Sequence, residues 1–226
     1  MTDRTALVLL AAAWLAYAAL HSALASLAVK RRVAERWPAA MPGYRLAYNV
    51  VAVATIAPIA WLMHAHPGPA LWEWRGIGWW LTNGLALAAA AGFLRSLRHY
   101  DSGEFSGMRQ WRLGLRAVED QERFHLSPLH RWVRHPWYFL GLVIVWTRDM
   151  SAAMLVSALF ITAYFAIGSR LEERKLLVYH GERYRRYRQR VAGLIPLPWK
   201  ILSRAEAEEL LAEPATAAAA DRGRDA

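Results

Sequence analysis

Two short blocks of this chain carry side chains able to hold a polar ligand. Arg134-His135-Pro136-Trp137-Tyr138 offers a guanidinium, an imidazole and a phenol within five residues, and Leu171-Glu172-Glu173-Arg174 offers two adjacent carboxylates about thirty-five residues later. A third block, Gly181-Glu182-Arg183-Tyr184-Arg185-Arg186-Tyr187, follows. Paired carboxylates are natural partners for an amine, a ribose hydroxyl or a cationic group, because an ionised acceptor strengthens each hydrogen bond. Taken singly, each block also has a plain explanation. Arg134 could snorkel to a membrane interface, and Arg170–Glu173 and Glu172–Lys175 are i,i+3 pairs that contribute only a few tenths of a kcal/mol. The blocks gain meaning if the chain between them returns to its starting side.

The elements that would bring them together are apolar. Of the 226 residues 56% are hydrophobic, high for a soluble domain, and they come in blocks, not in a helical stripe. Five such segments cover residues 6–29, 46–63, 76–94, 136–147 and 150–169. Most have the length of a helix crossing the ~30 Å hydrocarbon core. The fourth is short, and Arg148-Asp149 leaves room only for a tight hairpin into the fifth. Many of the twelve Trp residues flank these blocks, at the depth amphipathic indoles favour. Of the 28 Lys and Arg, 25 fall in segments 30–45, 95–135 and 170–226, leaving Arg4, Arg75 and Arg148 on the other side. The positive-inside rule then gives the orientation.

The expectation is an all-α integral membrane protein. It has five transmembrane helices, an outside N-terminus, an inside C-terminus and a cytoplasmic amphipathic helix after the last span. The inner, cytoplasmic membrane is the expected location, and the bilayer itself a partner. The net charge of +10 follows from topology and calls for no nucleic acid. Arg4 ahead of the first apolar block and small residues near Ala25–Ala28 could suggest a signal peptide. Lys30-Arg31-Arg32 directly after it favours a retained helix. Absence of cysteine excludes disulfides, thiolate metal ligation and thiolate catalysis by the protein, and no metal site is expected.

Residues 1–200 are expected to form one membrane domain, with 201–226 a short helix (203–212) and a disordered tail (214–226). Gly84, Ala88 and Gly92 form a small-residue face for helix packing. Polar residues inside spans are functional by default. His21 (with Ser22 and Ser26) and Asn49 would lie on the side of the charged blocks and are candidates for an acceptor cavity. Asn83 lies in the third segment. Tyr184, Tyr187 and Val191 share one helix face, which reads either as a basic amphipathic helix lying on the membrane or as a lid over a ligand.

The run Leu129-His130-Arg131-Trp132-Val133-Arg134-His135-Pro136-Trp137-Tyr138, with Leu171-Glu172-Glu173-Arg174 and Tyr184-x-x-Tyr187, resembles the membrane methyltransferases. That superfamily holds the isoprenylcysteine carboxyl methyltransferases, phospholipid N-methyltransferases and bacterial methanethiol S-methyltransferases. The likeness covers roughly 125–198. His21-Ser22 and Tyr44-Arg45-Leu46-x-Tyr48-Asn49 look more like the bacterial thiol methyltransferase and NnrU-like branch. Leu140 stands where the family often has Gly, with Gly141 one position later, and Pro128 stands where Gly is expected.

The resemblance implies a cytoplasm-facing S-adenosylmethionine pocket. His130, His135, Tyr138, Glu172, Glu173, Tyr184 and Tyr187 would bind the cofactor, and Arg134 and His21 would act in catalysis. The acceptor would be a small thiol, a carboxylate or a lipid-like molecule. A thiol must ionise to react, and His99, Glu104, His125 and His130 could assist. Two other readings follow from weaker likenesses: an NADPH-dependent reductase of the sterol-reductase type, and a non-catalytic NnrU-like protein.

Overall fold

The computed structural model of the chain describes residues 2–99, 101–116, 118 and 124–212. In chain order the elements are α1 (Asp3–Ala25), α2 (Leu27–Arg36), α3 (Met41–Ala65), β1 (Ala70–Trp72), α4 (Gly76–Ser96), α5 (Ser102–Ser106), α6 (Met108–Leu113), α7 (Pro136–Trp146), β2 (Met150–Ser151), α8 (Ala152–Arg190) and α9 (Arg204–Ala212). Single 3₁₀ turns lie at Pro38–Ala40, Leu97–His99 and Pro128–Arg131. Four helices are long and apolar enough to cross a membrane: Asp3–Ala25, Pro38–Ala65, Gly76–Ser96 and Ala152–Arg190. This is an all-α, multi-pass membrane protein. The expected tail 214–226 lies outside the described residues.

One expected boundary moves. The first apolar block does not run to residue 29 as one helix. Ser26 adopts extended backbone, its hydroxyl donating to the Ala23 carbonyl and accepting from the Val29 amide. One residue thus closes α1 and caps α2, as short hydroxyl side chains do.

The fourth segment is short, as expected: the 11 residues of α7 rise only about 16 Å, less than the hydrocarbon thickness. The connection that follows, residues 149–153, pairs with residues 67–74. Ala70 pairs with Ser151 and Trp72 with Met150. The Ala152 and Ala153 amides donate to Pro69 and Pro67, and Asp149 accepts from the Trp74 amide at 2.9 Å. Non-helical backbone in an apolar setting survives when its groups are satisfied in this way.

The described residues group into two compact units, to which α4 and α8 each contribute parts. The first comprises 1–83, 97–121 and 147–161. Its core is Leu10, Trp14, Ile59 and Ala153, flanked by Val156 and Phe160, and the Trp14 indole donates to the buried Ser157 hydroxyl at 2.9 Å. The second comprises 84–96, 122–146 and 162–226. Its core is Tyr184, Tyr187, Val191, Leu202 and Leu210, with Phe124, Leu126, Leu176 and Leu177 packed around it.

That second core corrects the expectation of a helix lying on the bilayer. The Tyr184–Tyr187–Val191 face is covered by α9 and by residues 124–126, so it is filled with protein instead of lipid. A 3.6-residue apolar stripe looks the same whichever it meets. Chain direction also changes there, because Gly181 breaks the helical torsions of α8 with φ 52° and ψ −127°.

Candidate functional site

The site is assembled in the second unit, where the chain enters α7. Ser127 caps the Pro128–Arg131 turn, with Pro128 at its first position, where a missing N–H costs nothing. Past this turn the backbone pairs with the segment that follows α8. Val133 bridges to Ala192, the Arg134 amide donates to the Ala192 carbonyl at 2.8 Å, and the His135 amide to Gly193 at 3.1 Å. The Leu202 amide donates to the Arg131 carbonyl at 3.0 Å. These main-chain bonds fix the entrance turn before any side chain contributes.

Arg134 and Glu173 form the buried centre. The Arg134 Nε and Nη2 donate to Glu173 Oε1 at 2.9 and 2.7 Å. Its Nη1 donates to the Arg188 carbonyl at 2.9 Å and to the Val191 carbonyl. A Cβ at Gly193 would lie 3.2 Å from Arg134 Nη2, so the missing side chain is what lets the strand lie against the guanidinium. Arg188 Nε adds a second cation 3.4 Å from Glu173 Oε2. With three of its nitrogens on a carboxylate or backbone carbonyls, Arg134 is fully committed to this joint.

His135, also buried, sits between the two carboxylates. Its Nδ1 is 3.4 Å from Glu172 Oε2 and its Nε2 3.2 Å from Glu173 Oε1. A ring with an acid on each nitrogen donates from both only as imidazolium. Burial works to lower its pKa, but the hydrogen bonds and charges of Glu172 and Glu173 outweigh it and hold the group above its ordinary value. The two glutamates therefore differ. Glu173 is enclosed by Arg134, His135 and Arg188, whereas the Glu172 side chain is 44% exposed.

Tyr138 completes the outward-facing group. Its hydroxyl donates to Glu172 Oε2 at 3.3 Å. Its ring stacks between His135 (5.3 Å) and Phe165 (4.5 Å), nearly parallel to both. The place of Gly141 in this stack is steric, for a Cβ there would meet Phe165 at 3.2 Å. Leu140 packs on Gly92 of α4 instead. Behind the turn Leu129, Trp132, Val133, Pro136, Phe139, Leu140 and Pro196 line an apolar cleft of about 250 Å³.

The other candidates divide. Tyr184 belongs to the wall. It is almost wholly buried, with its hydroxyl beside the Arg134 guanidinium. Tyr187 donates to the His130 carbonyl at 2.8 Å. His130 closes the capping of the turn: its Nδ1 accepts the Ser127 amide at 3.2 Å, which leaves the ring proton on Nε2. A side chain returning to the cap residue three positions back is capping geometry, and Ser-Pro-Leu-His was its signal in the sequence. Arg188, Gly193 and Phe165 were not singled out from the sequence. A lone Gly and one Arg among many give no cue without the turn that brings them here.

His21 and Asn49 belong to the first unit. His21 bonds through Nε2 to the Tyr48 hydroxyl, and its ring stacks on Tyr17 at 5.3 Å. The Asn49 amide donates to the Phe105 and Ser106 carbonyls at 3.2 and 3.0 Å, holding the α5–α6 connection. Glu104 lies in the first turn of α5, where its backbone amide donates to Asp101 Oδ1 at 3.1 Å. His125 is exposed. The His99 side chain lies outside the described set.

Comparison with known proteins converges on one family. The chain is 31% identical over 182 residues to methanethiol S-methyltransferase 2 of Bradyrhizobium diazoefficiens, covering 80% of this chain and 69% of that protein. The chain belongs to the bacterial methanethiol S-methyltransferase branch of the membrane methyltransferases. The methanethiol S-methyltransferase of Mycobacterium tuberculosis is 34% identical over 148 residues (64% of this chain, 56% of that protein). That of Pseudomonas deceptionensis is 39% identical over 119 residues (52% and 43%). This methyltransferase-family chain thus spans about half the length of the latter two. No protein-family model matches, and no solved structure matches.

Proposed function

We propose that this protein is an S-adenosylmethionine-dependent methyltransferase acting on methanethiol, or a thiol of similar size, at the cytoplasmic face of the inner membrane. The observation that carries this is the shared name of its relatives, joined to a site whose residues suit that donor. An outward carboxylate beside a phenol suits a ribose hydroxyl or an ammonium. Neither the reductase nor the non-catalytic reading draws support from the relatives.

When bound, S-adenosylmethionine supplies an electrophilic methyl group on sulfur. The residues of this chain hold and align. Glu172 and Tyr138 would take the polar end of the donor. His135, as imidazolium, would hold the Glu172 carboxylate in place from behind. Arg134 and Glu173 serve as positioning residues by tying α8 to the entrance turn, and Tyr184 closes the wall. A displacement between two sulfurs depends mainly on alignment and exclusion of water. The thiolate is the reacting form.

On this reading α7 and the apolar part of α8 form the last two of five passes, with the C-terminus inside. The test is calorimetry on the full chain in detergent, with dimethyl sulfide measured by gas chromatography. Micromolar S-adenosylmethionine binding and donor-dependent dimethyl sulfide are expected. NADPH binding, or no donor binding at all, overturns the proposal.

A further inference from the structure

Residues 105–116 lie outside every candidate span, yet they expose several large apolar side chains. Phe105, Trp111, Leu113 and Leu115 are 51%, 57%, 63% and 44% exposed. Arg112 and Arg116 alternate with them, and both are exposed. Arg109 stands at the edge, paired with Asp101 at 2.8 Å.

This segment is held firmly against α3. Gly107, at φ 86°, presses its backbone on the start of α3, so closely that a Cβ would lie 2.7 Å from the Leu46 amide nitrogen and 2.9 Å from the Arg45 Cβ. Asn49 of α3 fastens the preceding turn through the Phe105 and Ser106 carbonyls. The α5–α6 connection therefore stays beside the first turns of the Pro38–Ala65 helix, where a membrane-crossing helix leaves the hydrocarbon. An indole, leucines and arginines exposed together at that place have the composition of an interfacial anchor.

We propose that residues 105–116 dock on the bilayer surface, and that the partner they fit is the headgroup layer of anionic phospholipids. The apolar side chains enter the acyl boundary and Arg112 and Arg116 meet lipid phosphates. Charge selects the partner. Arg45 and Lys30-Arg31-Arg32 on the same unit add to a positive field that a zwitterionic surface does not reward, whereas an anionic one attracts each juxtamembrane cation. Another protein would need a complementary acidic face.

The chain has no cysteine, so a single Leu113→Cys substitution carries one environment-sensitive fluorophore with no background. The full protein is placed in nanodiscs of phosphatidylcholine alone or mixed with phosphatidylglycerol, with brominated acyl chains as quencher. Quenching of the label is expected in both, about twofold stronger with phosphatidylglycerol. Arg112→Gln with Arg116→Gln should remove the difference. A label that stays in water in both lipids overturns the proposal and points to a protein partner or free solvent. Equal quenching in the two lipids overturns the anionic preference. Neither result bears on donor binding, so this proposal and the methyl-transfer reading fail separately.

Discussion

Substituting the two adjacent glutamates should give opposite phenotypes, although they are neighbours of the same type. Glu173→Gln leaves shape nearly unchanged but removes a charge shared by Arg134, His135 and Arg188. Its side chain and that of Arg134 are only 9% and 12% exposed, so the orphaned guanidinium cannot recover its solvation. Breaking a buried pair costs roughly 3–5 kcal/mol. Gln still offers one oxygen to Arg134, which places the expected loss near the lower end, about 3 kcal/mol. For a chain of this size that lowers Tm by about 6–12 °C.

Glu172→Gln acts on a carboxylate open to solvent. Its partners are His135 and Tyr138 at 3.3–3.4 Å, and exposed pairs contribute about 1 kcal/mol or less. Tm should stay within about 4 °C, while donor affinity falls at least tenfold. Thermal shift in detergent and calorimetry with S-adenosylmethionine read the two quantities separately. Equal destabilisation by both substitutions, or an unchanged Tm for Glu173→Gln, would refute the division of labour drawn here. A further control is Arg134→Met combined with Glu173→Leu. Removing both charges should restore part of what either single change loses, because a buried pair replaced by apolar groups is often close to neutral.

The His135 imidazolium ties stability to pH. Its folded pKa lies above the ordinary 6.5, so its contribution is complete below that value and is lost as pH climbs through the folded pKa. Tm should therefore fall over a window that starts near pH 6.5 and extends upward, and His135→Gln should flatten that slope. Gly193→Ala forces the Arg134 guanidinium back by a few tenths of an ångström. It should cost about 1 kcal/mol, at the mild end of overpacking, read as a Tm drop of about 2–4 °C with weakened donor binding. Gly107→Ala meets both a backbone clash and a left-handed torsion. It should destabilise by more than about 2 kcal/mol and expose the α5–α6 connection to limited proteolysis.

The approach of Arg134 and His135 to Glu173 was legible in the sequence, since both ends of an apolar hairpin return to one place. So was the helix at Arg204–Ala212, within the expected 203–212. Hydrophobic periodicity shows that Tyr184, Tyr187 and Val191 act together but does not show what they touch, because lipid and a protein core solvate an apolar stripe equally well. The catalytic role expected of Arg134 comes from the resemblance alone. Its commitment to the Arg188 and Val191 carbonyls depends on backbone more than fifty residues away, invisible to local spacing. The capping role of Ser26 was not legible, because a single serine in an apolar run costs little as a helix residue until it finds a cap to make.

Gly181 has a consequence for the molecule as a mechanical object. Had α8 continued straight for its 39 residues, it would have formed a rod about 58 Å long, nearly twice the hydrocarbon thickness, with its basic end carried far into the water. One torsion that only glycine adopts at ease folds that rod into a bracket. The far arm comes back to grip the place where its own hairpin began.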